Sequence, residues 1–116
     1  MLQRLLREYA GVVQFLLVYI AESHAVDEWP VGETIVKRQH TTTEERIAAC
    51  EECLADFGLK MPTVVDSIEN DFHRTYACWP IRFYLINAGI LDVIGTPRDG
   101  CGYDLADIED WLRKIV

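Results

Sequence analysis

The stretch from Val12 to Trp29 constrains this chain most, because it changes abruptly from apolar to charged residues. Residues 12–20 carry no charge and are almost all apolar, with many β-branched or aromatic side chains. A short run of this kind predicts a strand buried on both faces, as in a parallel sheet covered by helices. Ionisable side chains then follow: Glu22, His24, Asp27 and Glu28. Because open α/β sheets bind ligands beyond the carboxyl ends of their strands, we expect chemistry at this tip.

Composition limits the class of protein. The chain has 116 residues, which suits a single domain, and half of them are hydrophobic, which argues against a disordered protein. Its formal net charge of −8 would repel nucleic acid. No segment approaches the roughly 20 apolar residues of a membrane-spanning helix. We therefore expect one domain over residues 1–116, without a nucleic-acid or membrane partner.

The N-terminus faintly resembles a signal peptide, since Arg4 and Arg7 precede the apolar run. Glu8, Tyr9 and Gln14 interrupt that pattern. We therefore expect a cytoplasmic protein.

The cysteines include one C-x-x-C pair, Cys50 and Cys53, which invites a redox interpretation. The pair lies inside a predicted helix, whereas a reactive thiol benefits from a helix N-terminus. Without a second such pair, we expect no metal site. The pattern instead favours a core position for Cys50 on one helical stripe: Ile47, Cys50, Leu54 and Phe57.

Local signals mark the helix ends and one turn. Thr42-x-x-Glu45 is a capping box and Gly58 a helix stop, which predicts a helix over 43–57. Ala88-Gly89 predicts a tight hairpin turn. The other predicted elements are a first helix ended by Gly11, strands at 12–20, 62–65, 81–87 and 90–94, a looser helix at 68–77, and a last helix.

The last helix is predicted to begin at Asp104, its capping residue. Apolar residues at helical spacing give this helix an inner face: Leu105, Ile108, Leu112 and Ile115.

Several motifs together resemble one family. Val18 to Trp29 reads V-Y-I-x-E-x-H-x-x-D-x-W, and Gln39-His40 precedes the capped helix. Further matches are M-P-T-V-V-D at 61–66, W-P-I-R-F-Y-L-I-N-A-G at 79–89 and D-G-C-G-Y at 99–103. This set resembles the iodothyronine deiodinases and their bacterial relatives, which are thioredoxin-fold oxidoreductases. The resemblance implies an α/β fold, a thioredoxin-like three-layer sandwich with a mixed sheet.

The resemblance also implies that something precedes this chain. The family's nucleophile, a selenocysteine or cysteine, lies at the end of a strand just before the first helix, and Met1 falls inside that helix. We therefore expect an N-terminally truncated domain that lacks its central N-terminal strand. Our hypothesis is that a selenocysteine codon upstream was read as a stop.

What the resemblance implies is reductive removal of iodine from an iodinated phenol, with a thiol reductant as cosubstrate and no bound cofactor. Glu22 would pass protons, and His24 would bind the phenolic end of the substrate or donate a proton. His40 would extend the proton path. Arg82 would grip a substrate carboxylate, and Pro80 would take the cis-proline position of the substrate site.

Four of these residues also have a simpler interpretation. Glu22 can be a solvated loop acid, His24 a structural histidine, Arg82 the partner of an acid, and His40 a histidine without a role. Substitutions relative to the family pattern leave the substrate open: Ala21, Ser23 and Ile81.

Two other functions fit the same sequence. One is a thiol peroxidase or thioredoxin-like reductase, and the other is a non-catalytic module that keeps a small-molecule pocket. The sequence does not determine whether the protein forms a homodimer.

Overall fold

The computed structural model describes residues 2–22, 39–77, 82–95 and 105–115. The elements in these ranges are α1 (Leu2–Glu8), β1 (Leu17–Tyr19), α2 (Thr43–Phe57), β2 (Thr63–Val65), α3 (Asp71–Tyr76), β3 (Phe83–Asn87), β4 (Ile90–Gly95) and α4 (Leu105–Ile115). They belong to two compact units, one made of residues 15–80 and the other of residues 1–14 with 81–116.

In the unit of residues 15–80, β1 and β2 form a parallel pair in register from Leu17–Thr63 to Tyr19–Val65. The Asp66 N–H donates to the Tyr19 carbonyl at 2.8 Å, which continues the pairing past the end of β2. The carboxyl ends of both strands therefore lie at the same edge of the sheet. The residues that follow β1 and β2 in the sequence leave the sheet next to each other.

The ends of α2 form as the capping pattern predicts. Thr42 Oγ1 accepts from the Glu45 N–H at 3.1 Å, and the Glu45 carboxylate accepts from the Thr41 N–H at 2.7 Å. Gly58 ends the helix with φ of 60°, a left-handed conformation that costs glycine little. The prediction of a helix over 43–57 is confirmed.

The second unit contains an antiparallel hairpin of β3 and β4. Its turn residues Ala88 and Gly89 have φ of 51° and 78°. Positive φ at both central residues is typical of the primed turns whose twist matches that of the strands. The predicted hairpin turn is confirmed.

Helices α1 and α4 in this second unit are joined by an ion pair between Arg4 and Glu109. Arg4 donates from both terminal nitrogens to the Glu109 carboxylate, at 3.1 and 2.9 Å. Three apolar side chains next to these positions in the chain are buried: Leu5, Ile108 and Leu112. The ion pair and the buried side chains lie on the same stretches of α1 and α4.

The strand predicted over 12–20 is shorter and more exposed than expected. Only Leu17–Tyr19 form β1, and all three are half-buried, while Val12 and Leu16 are about 60% exposed. The Tyr9 carbonyl accepts from the N–H groups of Val12 and Val13, so these residues continue the turn after α1. Backbone groups used in that turn are not available to a ladder.

Other predicted core positions are also exposed. The strand predicted to be buried at 81–87 is half-buried at its start and exposed at Ile86. Cys50 is buried as expected, but Ile47 and Phe57 on the same stripe are exposed, as is Ile115 on α4. A three-residue strand spans about 10 Å, whereas a 15-residue helix is about 22 Å long, so the ends of the α2 stripe extend beyond β1 and β2.

The α/β class is confirmed. The described strands form two separate two-stranded sheets, one parallel and one antiparallel, so the thioredoxin-like sandwich and the single domain stay predictions. The predicted helix cap Asp104 lies outside the described residues. Within the described ranges, no helix is long and apolar enough to cross a membrane.

Candidate functional site

The candidate site lies at the edge where β1 and β2 end. Tyr19 is the last residue of β1, and its hydroxyl donates to Glu22 Oε2 at 2.9 Å. Burial, followed by this hydrogen bond, raises the pKa of Tyr19 well above its usual range. Tyr19 therefore remains a phenol at any physiological pH and acts as a donor to the carboxylate.

Gln39 ties the segment after β1 to the approach to α2. Its side-chain Oε1 accepts from the Glu22 N–H at 3.0 Å, and its Nε2 donates to the Glu22 carbonyl at 2.8 Å. The next residue, His40, places Nε2 3.9 Å from Glu22 Oε2. This distance exceeds a hydrogen bond, but a movement of about 1 Å would make one.

Arg46 lies behind His40 and is only 1% exposed, the most buried charged side chain among the described residues. Its Nε donates to His40 Nδ1 at 3.1 Å. Its Nη1 donates to the Ser67 carbonyl at 2.7 Å and to Asn70 Oδ1 at 2.9 Å. Burial lowers the pKa of the Arg46 guanidinium, and the Asp66 carboxylate opposes that shift. A buried charge is costly without partners, and here it has several.

Asp66 follows β2 and organises the start of α3. It is 5% exposed, and its two carboxylate oxygens accept from the N–H groups of Phe72 at 2.9 Å and His73 at 3.1 Å. These two N–H groups would otherwise be unsatisfied at a helix N-terminus. Asp66 therefore fixes the start of α3, and Asn70, the residue directly before this helix, contacts Arg46.

The interior of this unit is mostly polar. Among its described residues, the buried side chains are those of His40, Arg46, Cys50 and Asp66. Buried polar groups are the informative exception to the usual composition of a core. This buried polar network reaches Glu22 through His40.

A cavity of about 360 Å³ opens on the network, and its lining includes Gln39, His40, Arg46 and His73. His73 Nδ1 is buried there without a hydrogen-bond partner within the described part of the chain. No group of three or more His, Cys, Asp or Glu residues in that part could hold a metal ion.

The structure brings together two of the predicted site residues, Glu22 and His40. Arg82 lies directly before β3, in the other unit. His24 and Pro80 fall outside the described residues.

Two further side chains of the site were missed by sequence reasoning. Tyr19 could have been found, because its i, i+3 spacing to Glu22 across a strand end allows contact. Arg46 carries no local signal that distinguishes it from an exposed arginine on a helix.

This arrangement defines the class: an α/β protein with an acid and an imidazole at the carboxyl edge of a parallel strand pair. The sequence pattern of the family described as iodothyronine deiodinase matches residues 1–116. The chain belongs to the iodothyronine deiodinase family.

Individual relatives agree with this assignment. The chain is similar to "Type I iodothyronine deiodinase" of Xenopus laevis, with 30% identity over 86 residues, 74% of this chain and 34% of the relative. It is similar to "Thyroxine 5-deiodinase" of Rattus norvegicus, with 30% identity over 113 residues, 97% of this chain and 36% of the relative. The same enzyme of Bos taurus is 29% identical over 113 residues, 97% of this chain and 37% of the relative. The chain thus spans about a third of the length of these curated relatives.

Proposed function

We propose that this chain carries the proton-handling part of a reductive deiodination site that acts on an iodinated phenol. The observation that supports this most directly is the Glu22–His40 pair with Tyr19, at one strand edge, in a chain that belongs to a deiodinase family. In this proposal the nucleophile is a selenolate or thiolate contributed by a segment upstream of the chain. In the same proposal, this chain and that segment together adopt a thioredoxin-like fold.

The proposed deiodination has two stages, attack by the nucleophile and its regeneration by thiol. The aryl carbon–iodine bond breaks, iodine forms a bond to the selenium or sulfur of the nucleophile, and the ring carbon takes a proton. Two equivalents of thiol then reduce the selenium–iodine or sulfur–iodine bond, which releases iodide, a disulfide and the restored nucleophile. No bound cofactor is needed, because the thiol supplies both electrons.

Glu22 is the proton source closest to this chemistry in the proposal. The Tyr19 hydroxyl donates to one carboxylate oxygen, and the imidazole of His40 faces the same oxygen. Because both groups face Oε2, the proposal has Glu22 take up and pass on its proton through its other carboxylate oxygen, Oε1. His24 would bind or protonate the phenolic end of the substrate.

Arg82 is proposed as the anchor for a substrate carboxylate, because a guanidinium binds a carboxylate through two parallel hydrogen bonds. Pro80 is likewise proposed as a substrate-binding residue, as the family resemblance implies. Binding of iodotyrosine and iodothyronine to the 116-residue chain tests the anchor. We expect Arg82→Ala to weaken binding and Arg7→Ala, which changes an exposed arginine of the same unit, to leave it unchanged. Equal affinity of both variants for a carboxylate-bearing ligand would remove Arg82 from the site.

The DNA sequence upstream of Met1, and the longer protein that it encodes, test the proposed deiodination. We expect an in-frame selenocysteine or cysteine codon in a strand-like context, and thiol-dependent iodide release by the longer protein. An upstream sequence without such a codon would refute the proposed nucleophile. A longer protein that binds the ligand but releases no iodide would instead favour the non-catalytic binding module.

The alternative of a thiol reductase using Cys50 and Cys53 is less well supported. Cys50 is 3% exposed, and burial raises the pKa of its thiol. A buried, protonated thiol is a poor nucleophile.

A further inference from the structure

The contact between Arg46 and His40 fixes more than the position of the ring. A guanidinium has five N–H donors and no acceptor, so Arg46 Nε can only donate to His40 Nδ1 across their 3.1 Å contact. Nδ1 must therefore present its lone pair. A neutral imidazole with a lone pair on Nδ1 carries its proton on Nε2.

The nitrogen that carries the proton is the one that faces Glu22. His40 Nε2 lies 3.9 Å from Glu22 Oε2, and the His40 side chain is only 5% exposed. A proton on Nδ1 would point at the N–H of Arg46, and a ring protonated on both nitrogens would in addition place a second positive charge beside the buried guanidinium. The contact with Arg46 therefore opposes the Nδ1–H tautomer.

We propose that Arg46 is a positioning residue that holds His40 as its Nε2–H tautomer, so that the imidazole presents a hydrogen-bond donor to the Glu22 carboxylate. The catalytic meaning of this inference rests on the proposed function, but the tautomer itself does not. While Arg46 is bound to Nδ1, a proton cannot pass through the ring from one nitrogen to the other. His40 then faces Glu22 only with its Nε2–H group. It orients the carboxylate as a hydrogen-bond donor and does not pass a proton from one ring nitrogen to the other.

Arginine suits this role because its planar fork makes two sets of contacts at once. While Nε holds the imidazole, Nη1 is held by the Ser67 carbonyl and Asn70 Oδ1 at 2.7 and 2.9 Å. Through Arg46, the position of the His40 ring is therefore fixed relative to the segment between β2 and α3. A lysine ammonium at the end of a flexible chain keeps one charge and three donors but lacks the fixed spacing of the fork.

The test uses the complete 116-residue chain with ¹⁵N-labelled histidine. Two-bond ¹H–¹⁵N correlation spectra at pH 8 distinguish the two neutral tautomers and the doubly protonated ring, and a His40→Gln variant assigns the signals. We expect one species for His40, protonated at Nε2, with the Nδ1 resonance shifted by an accepted hydrogen bond. Protonation at Nδ1, or at both nitrogens, would overturn the inference without any change to Arg46.

Variants add a second readout. In Arg46→Met we expect the hydrogen-bond shift of Nδ1 to disappear and a population with the proton on Nδ1 to emerge. Arg46→Lys keeps a donor near the ring, so it should retain more of the Nε2–H form than Arg46→Met. As a matched control, Arg74→Met changes an exposed arginine of the same unit and should leave the His40 spectrum unchanged. Equal spectra for Arg46→Met and wild type would refute the inference.

The two proposals fail in different experiments. Iodide release by the longer protein together with an Nδ1–H signal for His40 would overturn the role of Arg46 alone. The expected tautomer in a longer protein that releases no iodide would overturn the proposed function alone.

Discussion

The hydroxyl of Tyr19 donates to Glu22 Oε2 at 2.9 Å, so the last residue of β1 fixes the carboxylate that follows it by three residues. This contact predicts the effect of Tyr19→Phe. The variant keeps the ring but removes one donor, which should cost about 1 kcal/mol of unfolding free energy. In the longer, nucleophile-bearing protein we expect kcat to fall about tenfold, which corresponds to the loss of one hydrogen bond in the transition state. Denaturant unfolding and steady-state kinetics measure the two effects. Tyr9→Phe, in the other unit, is the control, and an unchanged kcat in Tyr19→Phe would contradict the assigned role.

The Glu22→Gln variant distinguishes the role of Glu22 as a hydrogen-bond acceptor from its role in proton transfer. Glutamine retains an oxygen that can accept from Tyr19 but cannot give or take a proton. We expect kcat of the longer protein to fall by about 10²–10⁴-fold with little change in KM, as for the loss of a general acid. Glu44→Gln changes an exposed acid in the first turn of α2 and should leave both constants unchanged. A Glu22→Gln variant with wild-type kcat would show that the proton comes from elsewhere.

Asp66 should matter for stability. Asp66→Ala leaves two N–H groups at the start of α3 without their acceptors, and we expect a loss of about 1–2 kcal/mol in unfolding free energy. Asp66→Asn retains one carbonyl oxygen and should lose less. Urea unfolding monitored by circular dichroism gives both values. A loss in Asp66→Asn as large as in Asp66→Ala would mean that the charge, not the cap, is important.

Acid should weaken the start of α2. The N–H and hydroxyl of Thr41 hold the pKa of Glu45 below its ordinary value of 4.5. A carboxyl group whose pKa is lower in the folded state stabilises the fold fully above 4.5, and this contribution is lost as pH falls through the lowered pKa. We therefore expect the stability difference between wild type and Glu45→Gln to shrink as pH falls below 4.5. Glu51→Gln, an exposed acid within the same helix, is the control. A difference that is independent of pH would exclude Glu45 as the source.

Cys50 and Cys53 should differ in reactivity. Burial raises the pKa of the Cys50 thiol above its ordinary value of 9.0, whereas Cys53 is half-buried. In a Cys78→Ser, Cys101→Ser background we expect iodoacetamide at neutral pH to modify Cys53 first and Cys50 only upon unfolding. Mass spectrometry of timed samples measures both rates. Rapid modification of Cys50 in the folded chain would show that its thiol is reactive and would support the alternative function as a thiol reductase.

Local sequence signals were sufficient for several elements. Thr42, Glu45 and Gly58 predicted both ends of α2, and Ala88-Gly89 predicted the hairpin turn, because caps and turns depend on residues within four positions of one another. Glu22 and His40 were selected from family motifs, and the structure places them next to each other. Burial was harder to predict, because the apolar run at 12–20 does not reveal how many neighbouring strands will cover it.

The sequence by itself determined the α/β class, both ends of α2, the family and the acid and imidazole of the candidate site. The tertiary structure alone decided that Arg46, one of several helical arginines, lies buried between His40 and the start of α3. The physical reason is distance along the chain: Arg46 meets partners 6, 21 and 24 residues away. No local periodicity records such contacts, and they exist only once β1, β2 and α2 have packed together.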